Sequence, residues 1–346
     1  MGSMPDGAPR ILQIGFGGFG PTHLDAWRAL GLADRLTIAD PDPGAQARCR
    51  DLGLPAGRIV ADYRVALDDA DAVDLVAPTD QHCEIACASL EAGCDLFIEK
   101  PMTATLEEAE TVARLAREKD RVVQVGFYFR AHPLAQRVRR AARDGCLGDI
   151  RYVSARFHGF KRARGDSGVV HNDAVHFIDQ INWTLGELPE AVDAVVRDHF
   201  GRGRDDFALI RLFYPGGAVA SIEAGCIQPG RWNDNIVPGA TQTKEFTVAG
   251  SLGAAEIDYM VNEIRFHAVH HELIDGLWRP VNKGVEQPHT PVAEPVAVVR
   301  AELETFLGHV AARTQPEAGA DNCGVAMARI LDAIFAASDS GGRVGV

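Results

Sequence analysis

An apolar run, Ile11-Leu-Gln-Ile14, passes straight into the GxGxxG turn Gly15-Phe16-Gly17-Gly18-Phe19-Gly20, and a helix is expected from Thr22. That order suits a dinucleotide. The first glycine permits a tight turn, the second lets backbone approach a pyrophosphate, and the third allows close helix–strand packing with the helix N-terminus facing the negative charge. Loops also collect glycine for steric reasons alone, so the motif needs its context. Asp40 supplies it: it lies 20 residues beyond Gly20, at the end of the second strand, where a carboxylate accepts hydrogen bonds from the adenosine ribose. The competing reading is a solvated turn aspartate. Pro41, Asp42, Pro43 and Gly44 follow, so a 2'-phosphate would meet carboxylates and NAD is favoured over NADP, with Arg35 and Arg48 the basic residues that could fold towards it.

Lys100 is the next chemical candidate. The strand Asp95–Ile98 ends in Glu99-Lys100-Pro101, which puts a lysine at the carboxyl end of a parallel strand, where ligands of open α/β sheets bind. Taken alone it is equally a solvated strand-end lysine. Lys161-Arg162-Ala163-Arg164 forms a local basic cluster able to hold a substrate phosphate or carboxylate, with a solvated loop as the alternative. Tyr128 and Arg130, after the last strand of the first domain, suit a substrate pocket or a domain interface. His267, His270, His271 and Glu272 are metal-ligand types, but on a strand over Glu263–His267 they would not converge, and no cysteine spacing supports zinc; no metal is expected.

These residues need a scaffold, and the hydrophobic pattern describes one. Ile11–Ile14, Leu36–Ala39, Val73–Ala77, Leu96–Ile98 and Val122–Val125 read as strands buried on both faces, separated by amphipathic segments such as Gln81–Ala92 and Leu106–Lys119. Such alternation predicts an α/β Rossmann domain, a doubly wound parallel sheet, over residues 10–126. After a helix over Pro133–Asp144 the pattern becomes two-periodic: Ile150–Phe157, Phe207–Tyr214 and Ala218–Glu223, the last two joined by Pro215-Gly216-Gly217. Residues 127–346 are therefore expected to form an α+β C-terminal domain with a largely antiparallel open sheet, closed by helices over Glu302–Val310 and Val325–Ala336.

Bulk properties narrow the partners. The chain has 346 residues and a formal net charge of -13, which disfavours nucleic acid and anionic membranes, whose contacts are built from clustered Lys and Arg. No run approaches the roughly 20 apolar residues that span a bilayer, and the N-terminus lacks a signal pattern, so a cytoplasmic location is expected. Seven cysteines without a CxxC pair suit reduced thiols. Met1–Pro9 reads as a leader outside the fold.

Taken together, Gly15–Gly20, Pro78-Thr79-Asp80-Gln81-His82, Glu99-Lys100-Pro101, Gly126-Phe127 with His132-Pro133, the segment ending in His176 and Glu302-Leu-Glu-Thr-Phe306 resemble the Gfo/Idh/MocA oxidoreductase family. Members typically oxidise or reduce sugars, inositols and nucleotide sugars. The resemblance implies a cofactor set of Gly15, Phe16, Gly17, Gly18, Phe19, Gly20, Asp40, Pro78, Thr79, His82, Glu99 and Lys100, with Lys100 the active-site lysine and His176 the residue that exchanges a proton with the substrate hydroxyl. It also implies a homodimer or homotetramer formed through the open face of the C-terminal sheet. Imidazole, with an unperturbed pKa of about 6.5, takes a proton near neutral pH, and an ammonium stabilises developing alkoxide charge.

One position departs from the family pattern. The aspartate expected four residues before the histidine is Asn172, with Asp173 adjacent. In an α-helix Asn172 would share a face with His176 while Asp173 pointed about 100° away. Asn172 can orient a hydroxyl but cannot act as a base. An asparagine there resembles the nucleotide-sugar 3-dehydrogenase branch, and with the basic cluster at Arg164 it favours a nucleotide-linked or phosphorylated sugar over a free aminosugar or inositol. A catalytically silent nucleotide-binding sensor is the alternative of another class.

Overall fold

Strands buried on both faces must be covered on both faces, and the first half of the chain shows how. The computed structural model describes residues 8–234 and 238–346; most of the expected leader lies outside the described residues. Strands β1 (Ile11–Ile14), β2 (Leu36–Ala39), β3 (Ile59–Val60), β4 (Ala72–Leu75), β5 (Asp95–Glu99) and β6 (Val123–Gly126) form one parallel sheet in the order β3-β2-β1-β4-β5-β6. The order reverses between β1 and β4, the place where open α/β sheets bind ligands. Helices α1 (Gly20–Ala29), α2 (Pro43–Asp51), α3 (His82–Glu91) and α4 (Leu106–Glu118) alternate with these strands, and Asp42 caps α2 by accepting from the backbone of Gly44 and Ala45.

The chain divides into two compact units, and the division is not the continuous one expected at residue 126. The first unit comprises the chain up to Ala131 together with Glu294–Ala328; the second comprises His132–Ala293 and Arg329–Val346. Apolar packing explains the return. Helix α5 (Tyr128–Ala131) precedes helix α6 (Pro133–Arg143), and much later α8 (Pro295–Ala312) buries Val299, Leu303 and Phe306 against the Rossmann core, Phe306 meeting Phe97 edge-on at 6.0 Å. Polar ties hold the same segment: Gln124 donates to the Glu302 carbonyl at 3.0 Å, and Arg313 pairs with Asp95 at 2.8 Å.

In the second unit a long sheet runs β15-β14-β13-β12-β7-β10-β9-β8-β16, with β11 (Trp232–Asn233) beside β12. Its strands are β7 (Ile150–His158), β8 (Ala191–Arg197), β9 (Phe207–Phe213), β10 (Val219–Gly225), β12 (Thr241–Gly250), β13 (Ala254–Asp258), β14 (Glu263–Ile274), β15 (Leu277–Glu286) and β16 (Val344–Gly345). Pairing is antiparallel except between β7 and β10, as expected for a largely antiparallel sheet. Helix α6 and helix α7 (Val175–Leu185) pack on one face, where Phe177 stacks on Phe246 at 6.0 Å; α9 (Ala326–Ser340) closes the chain. The sequence pattern did not announce the β14–β15 hairpin: β13 pairs with β14 only over Glu263–His267, whereas β14 pairs with β15 from Phe266 to Ile274.

Candidate functional site

The glycine turn is built from beneath. Gly15 has φ +100°, and a Cβ there would stand 2.7 Å from the backbone of Ala77, so only glycine fits. Gln13, fully buried in β1, donates to the carbonyls of Gly15 and Gly20, each at 3.1 Å, and ties the two ends of the turn together. Gly17 and Gly18 differ: a Cβ at either would meet no protein atom within 4 Å. Their small size is not demanded by the protein's own packing, and the open space beside them suits a ligand that approaches the backbone closely. Phe16 enters the core and is 0% exposed, so it can meet a cofactor only through its backbone.

Asp40 stands at the end of β2 as expected, and it also organises the turn. Its Oδ2 accepts from the Phe16 backbone at 2.7 Å and its Oδ1 from that of Asp42 at 2.9 Å, while a carboxylate keeps further lone pairs for hydroxyl donors. Arg48 does fold towards the turn, donating to the Phe16 carbonyl at 3.0 Å, whereas Arg35 is exposed at the start of β2.

At the carboxyl end of β5, Glu99 Oε2 accepts from the Lys100 backbone at 3.3 Å, and Lys100 is half-buried. Beneath it lies a cluster that sequence reasoning missed. His23 of α1 is fully buried, with Nδ1 3.0 Å from Asp74 on β4 and Nε2 3.2 Å from Glu99 Oε1. Burial pushes the imidazole pKa down, but the two carboxylates outweigh it and raise it to about 10. The signal was present in the sequence: a buried strand rarely carries an aspartate such as Asp74 without a partner. Pro78 and Thr79 begin the segment after β4. His82, placed in the cofactor set, is buried and spends its ring on backbone carbonyls, Nε2 on Ala77 at 2.8 Å and Nδ1 on Pro101 at 3.1 Å; burial pushes its pKa down. Its geometry ties two loops together rather than facing outward.

The other predicted residues of the first unit sit against protein. Tyr128 packs beside Phe129 and the core around α8, and burial pushes its phenol up. Arg130 donates to Cys323 Sγ at 3.0 Å and lies over the Phe127 ring.

In the second unit the segment before α7, Val170–Ala174, winds as a π-helix, so the four-residue spacing assumed for Asn172 and His176 does not carry across it. Asp173 is not turned out to solvent. It is buried, accepting from Lys161 Nζ at 2.7 Å and from Asn172 Nδ2 at 2.8 Å. Lys161 also lies 4.1 Å over the Phe157 ring, which stands tilted 6.3 Å from the ring of His176. His176 itself is half-buried, whereas its neighbours Val175, Phe177 and Ile178 are fully buried.

The expected anion cradle is largely spent. Lys161 belongs to Asp173, and Arg164 forms a two-pronged pair with Asp166 at 2.9 and 2.5 Å. Of the histidines on β14, His267 pairs with Glu256 and His270 with Glu272, so they address different carboxylates.

Comparison with known proteins settles the family. Residues 10–127 match the oxidoreductase family with an NAD-binding Rossmann fold, and residues 135–256 match the GFO/IDH/MocA C-terminal domain. The chain belongs to the Gfo/Idh/MocA oxidoreductase family. It is 27% identical over 315 residues to the UDP-N-acetylglucosamine 3-dehydrogenase of Acidithiobacillus ferrooxidans, a match covering 86% of this chain and 88% of that one. The scyllo-inositol 2-dehydrogenase (NAD(+)) of Bacillus subtilis is 27% identical over 238 residues, or 64% of this chain and 68% of the relative. In fold the chain is similar to levoglucosan dehydrogenase in complex with NADH and levoglucosan, with TM-score 0.79 at 23% identity over 97% and 98% of the two chains.

As a Gfo/Idh/MocA member the protein is an NAD-dependent oxidoreductase acting on CH–OH groups. Its residues fit that cofactor: the open backbone at Gly17 and Gly18 for a pyrophosphate and the Asp40 carboxylate for ribose hydroxyls. No described helix is long and apolar enough to cross a membrane.

Proposed function

We propose that the protein is a reversible dehydrogenase for a secondary alcohol of a polyhydroxylated, sugar-like substrate. The observation that carries this reading is His176, half-exposed on a helix whose adjacent residues are buried, preceded by Asn172 whose amide is fixed by Asp173. His176 takes the hydroxyl proton, and the Lys100 ammonium stabilises the developing alkoxide. When bound, NAD supplies the acceptor for the hydride that leaves the same carbon. Pro78 and Thr79 line the nicotinamide end, and Gly15, Phe16, Gly17, Gly18, Phe19 and Gly20 present backbone to the pyrophosphate. A homodimer or homotetramer forms through the open face of the second unit's sheet, where Tyr152, Val195 and Leu209 stand exposed.

A nucleotide-linked sugar is the leading substrate class, supported by the likeness to the UDP-N-acetylglucosamine enzyme across most of both chains. The internal pairing of Lys161 and Arg164 favours a second reading, an unphosphorylated sugar or inositol, because it removes the cationic loop expected to hold a phosphate. Absorbance at the NADH wavelength tests both, with NAD or NADP offered against nucleotide sugars, sugar phosphates, free sugars and inositols. Turnover by one class decides between them. Lys100→Met and His176→Ala should each lower kcat by about 100-fold or more while retaining NADH binding; near-normal turnover in both would overturn the assignment.

A further inference from the structure

His23 is buried between two carboxylates, both ring nitrogens facing oxygen: Nδ1 towards Asp74 at 3.0 and 3.1 Å, Nε2 towards Glu99 Oε1 at 3.2 Å. Nδ1 hydrogen-bonds Asp74 and Nε2 lies within ion-pair range of Glu99 Oε1, so a protonated ring sets its positive charge between the two carboxylates. Its ring is held edge-on by Phe19 and Phe97, and Trp27 Nε1 also donates to Asp74 Oδ2, at 2.7 Å. The charged groups facing His23 are therefore Asp74 from β4 and Glu99 from β5.

The chain of contacts continues upward. With Oε1 on His23, Glu99 places Oε2 on the backbone N–H of Lys100 at 3.3 Å. Gly126 on β6 leaves the room for this seat: a Cβ there would stand 2.8 Å from Glu99 Oε1 and 2.9 Å from the Phe97 ring. We infer that His23 is a positioning residue, whose imidazolium fixes Glu99 and, through it, the backbone that carries Lys100. The inference rests on the reading of Lys100 as the lysine that meets the substrate oxygen. It gives Glu99 a holding role in place of direct cofactor contact, and it links the first turn of the glycine-motif helix to the end of β5.

The test compares wild type, His23→Gln, Glu99→Gln, Lys100→Met and the double variant His23→Gln/Lys100→Met on a sugar that the substrate panel shows to be turned over. NADH affinity by fluorescence titration and thermal melts serve as controls. His23→Gln and Glu99→Gln should each lower kcat by about 10- to 100-fold with NADH affinity within about threefold, because a misplacement of about 1 Å is costly at the reacting centre. On the Lys100→Met background His23→Gln should add nothing, a non-additivity that a purely structural residue would not show. An equal further loss there, or unchanged kcat in Glu99→Gln, overturns the inference. Glu99→Gln keeps the side-chain shape and carries the test should His23→Gln melt.

If no sugar is turned over, the functional reading fails and the positioning role is still decided. The rate at which Lys100 is acetylated by an N-hydroxysuccinimide ester, measured by mass spectrometry against exposed Lys119 and Lys283, needs no substrate. A change of about threefold or more in that ratio in Glu99→Gln supports the role, and an unchanged ratio sinks it.

Discussion

Lys161 Nζ lies 2.7 Å from Asp173 Oδ2 with both side chains buried, and the second oxygen of the same carboxylate accepts from Asn172 at 2.8 Å. A carboxylate only accepts, so the Asn172 amide turns its NH2 group to Asp173 and its carbonyl the other way. The position where the family pattern carries a carboxylate is thus a neutral amide tied to the adjacent Asp173.

The pair predicts a stability cycle. Asp173→Asn leaves a buried ammonium without its counter-charge and should cost about 3–5 kcal/mol, as should Lys161→Met by stranding the carboxylate. The double variant should regain much of the loss. Urea melts of the four proteins check this; additive losses in the double variant would show that the two groups do not act as a pair.

A second prediction concerns pH. His23 is raised in the fold to about 10 from its ordinary 6.5, so its stabilisation is complete below about pH 6.5 and is lost as the pH rises towards about 10. His132 runs the other way: burial pushes it down to about 4, and stability is lost as the pH falls from about 6.5 to about 4. Unfolding free energy should therefore fall from about pH 6.5 to 9.5, with His23 contributing up to about 1.4 kcal/mol per pH unit. His23→Gln should flatten that alkaline limb, and an unchanged slope would contradict the imidazolium.

Cofactor choice is expected to turn on two neighbours. In the proposed site Asp40 takes the ribose end, and Arg48 donates to the Phe16 carbonyl on the same turn. Asp40→Ser should weaken NAD use and raise the NADP to NAD ratio of kcat/KM by about tenfold or more, since a guanidinium beside a phosphate is favourable once the carboxylate is gone. Adding Arg48→Ala should abolish the gain. Steady-state kinetics with both cofactors decide the matter.

The motif glycines should separate fold from binding. Gly15→Ala drives a Cβ into the Ala77 backbone at a positive φ and should lower the melting temperature. Gly17→Val has open space around it and should melt like wild type, yet weaken NADH by about tenfold or more by filling the approach to the backbone. Equal melting and equal binding in Gly17→Val would remove the pyrophosphate from that turn.

The elements most legible in the sequence were those whose pattern has one physical solution. Ile11–Ile14 and Leu36–Ala39 are apolar runs too short for helices, and the observed strands have those same bounds. Less legible were features set by distant partners. Nothing local in Glu302–Phe306 says that it must cover Phe97, and the exposed β14–β15 pair lacks the one-sided pattern that marks a half-buried strand. In the site, Gly15, Asp40 and Lys100 stood at strand ends and were readable by position. The His23–Asp74–Glu99 cluster and the Lys161–Asp173 pair join residues from different elements, and their spacing carries no period.

The return of Glu294–Ala328 to the first unit has a consequence for synthesis. A ribosome delivers β1 to β6 long before α8, so a nascent chain can pair its parallel strands while the surface around Phe97 and Gln124 still faces water. The first unit cannot close vectorially; it waits for nearly the whole message, with a sticky, half-finished sheet in the interval. Fragments that stop at Ala131 should consequently be recovered as aggregates, and the dinucleotide fold of this chain is a product of its completion rather than of its first third.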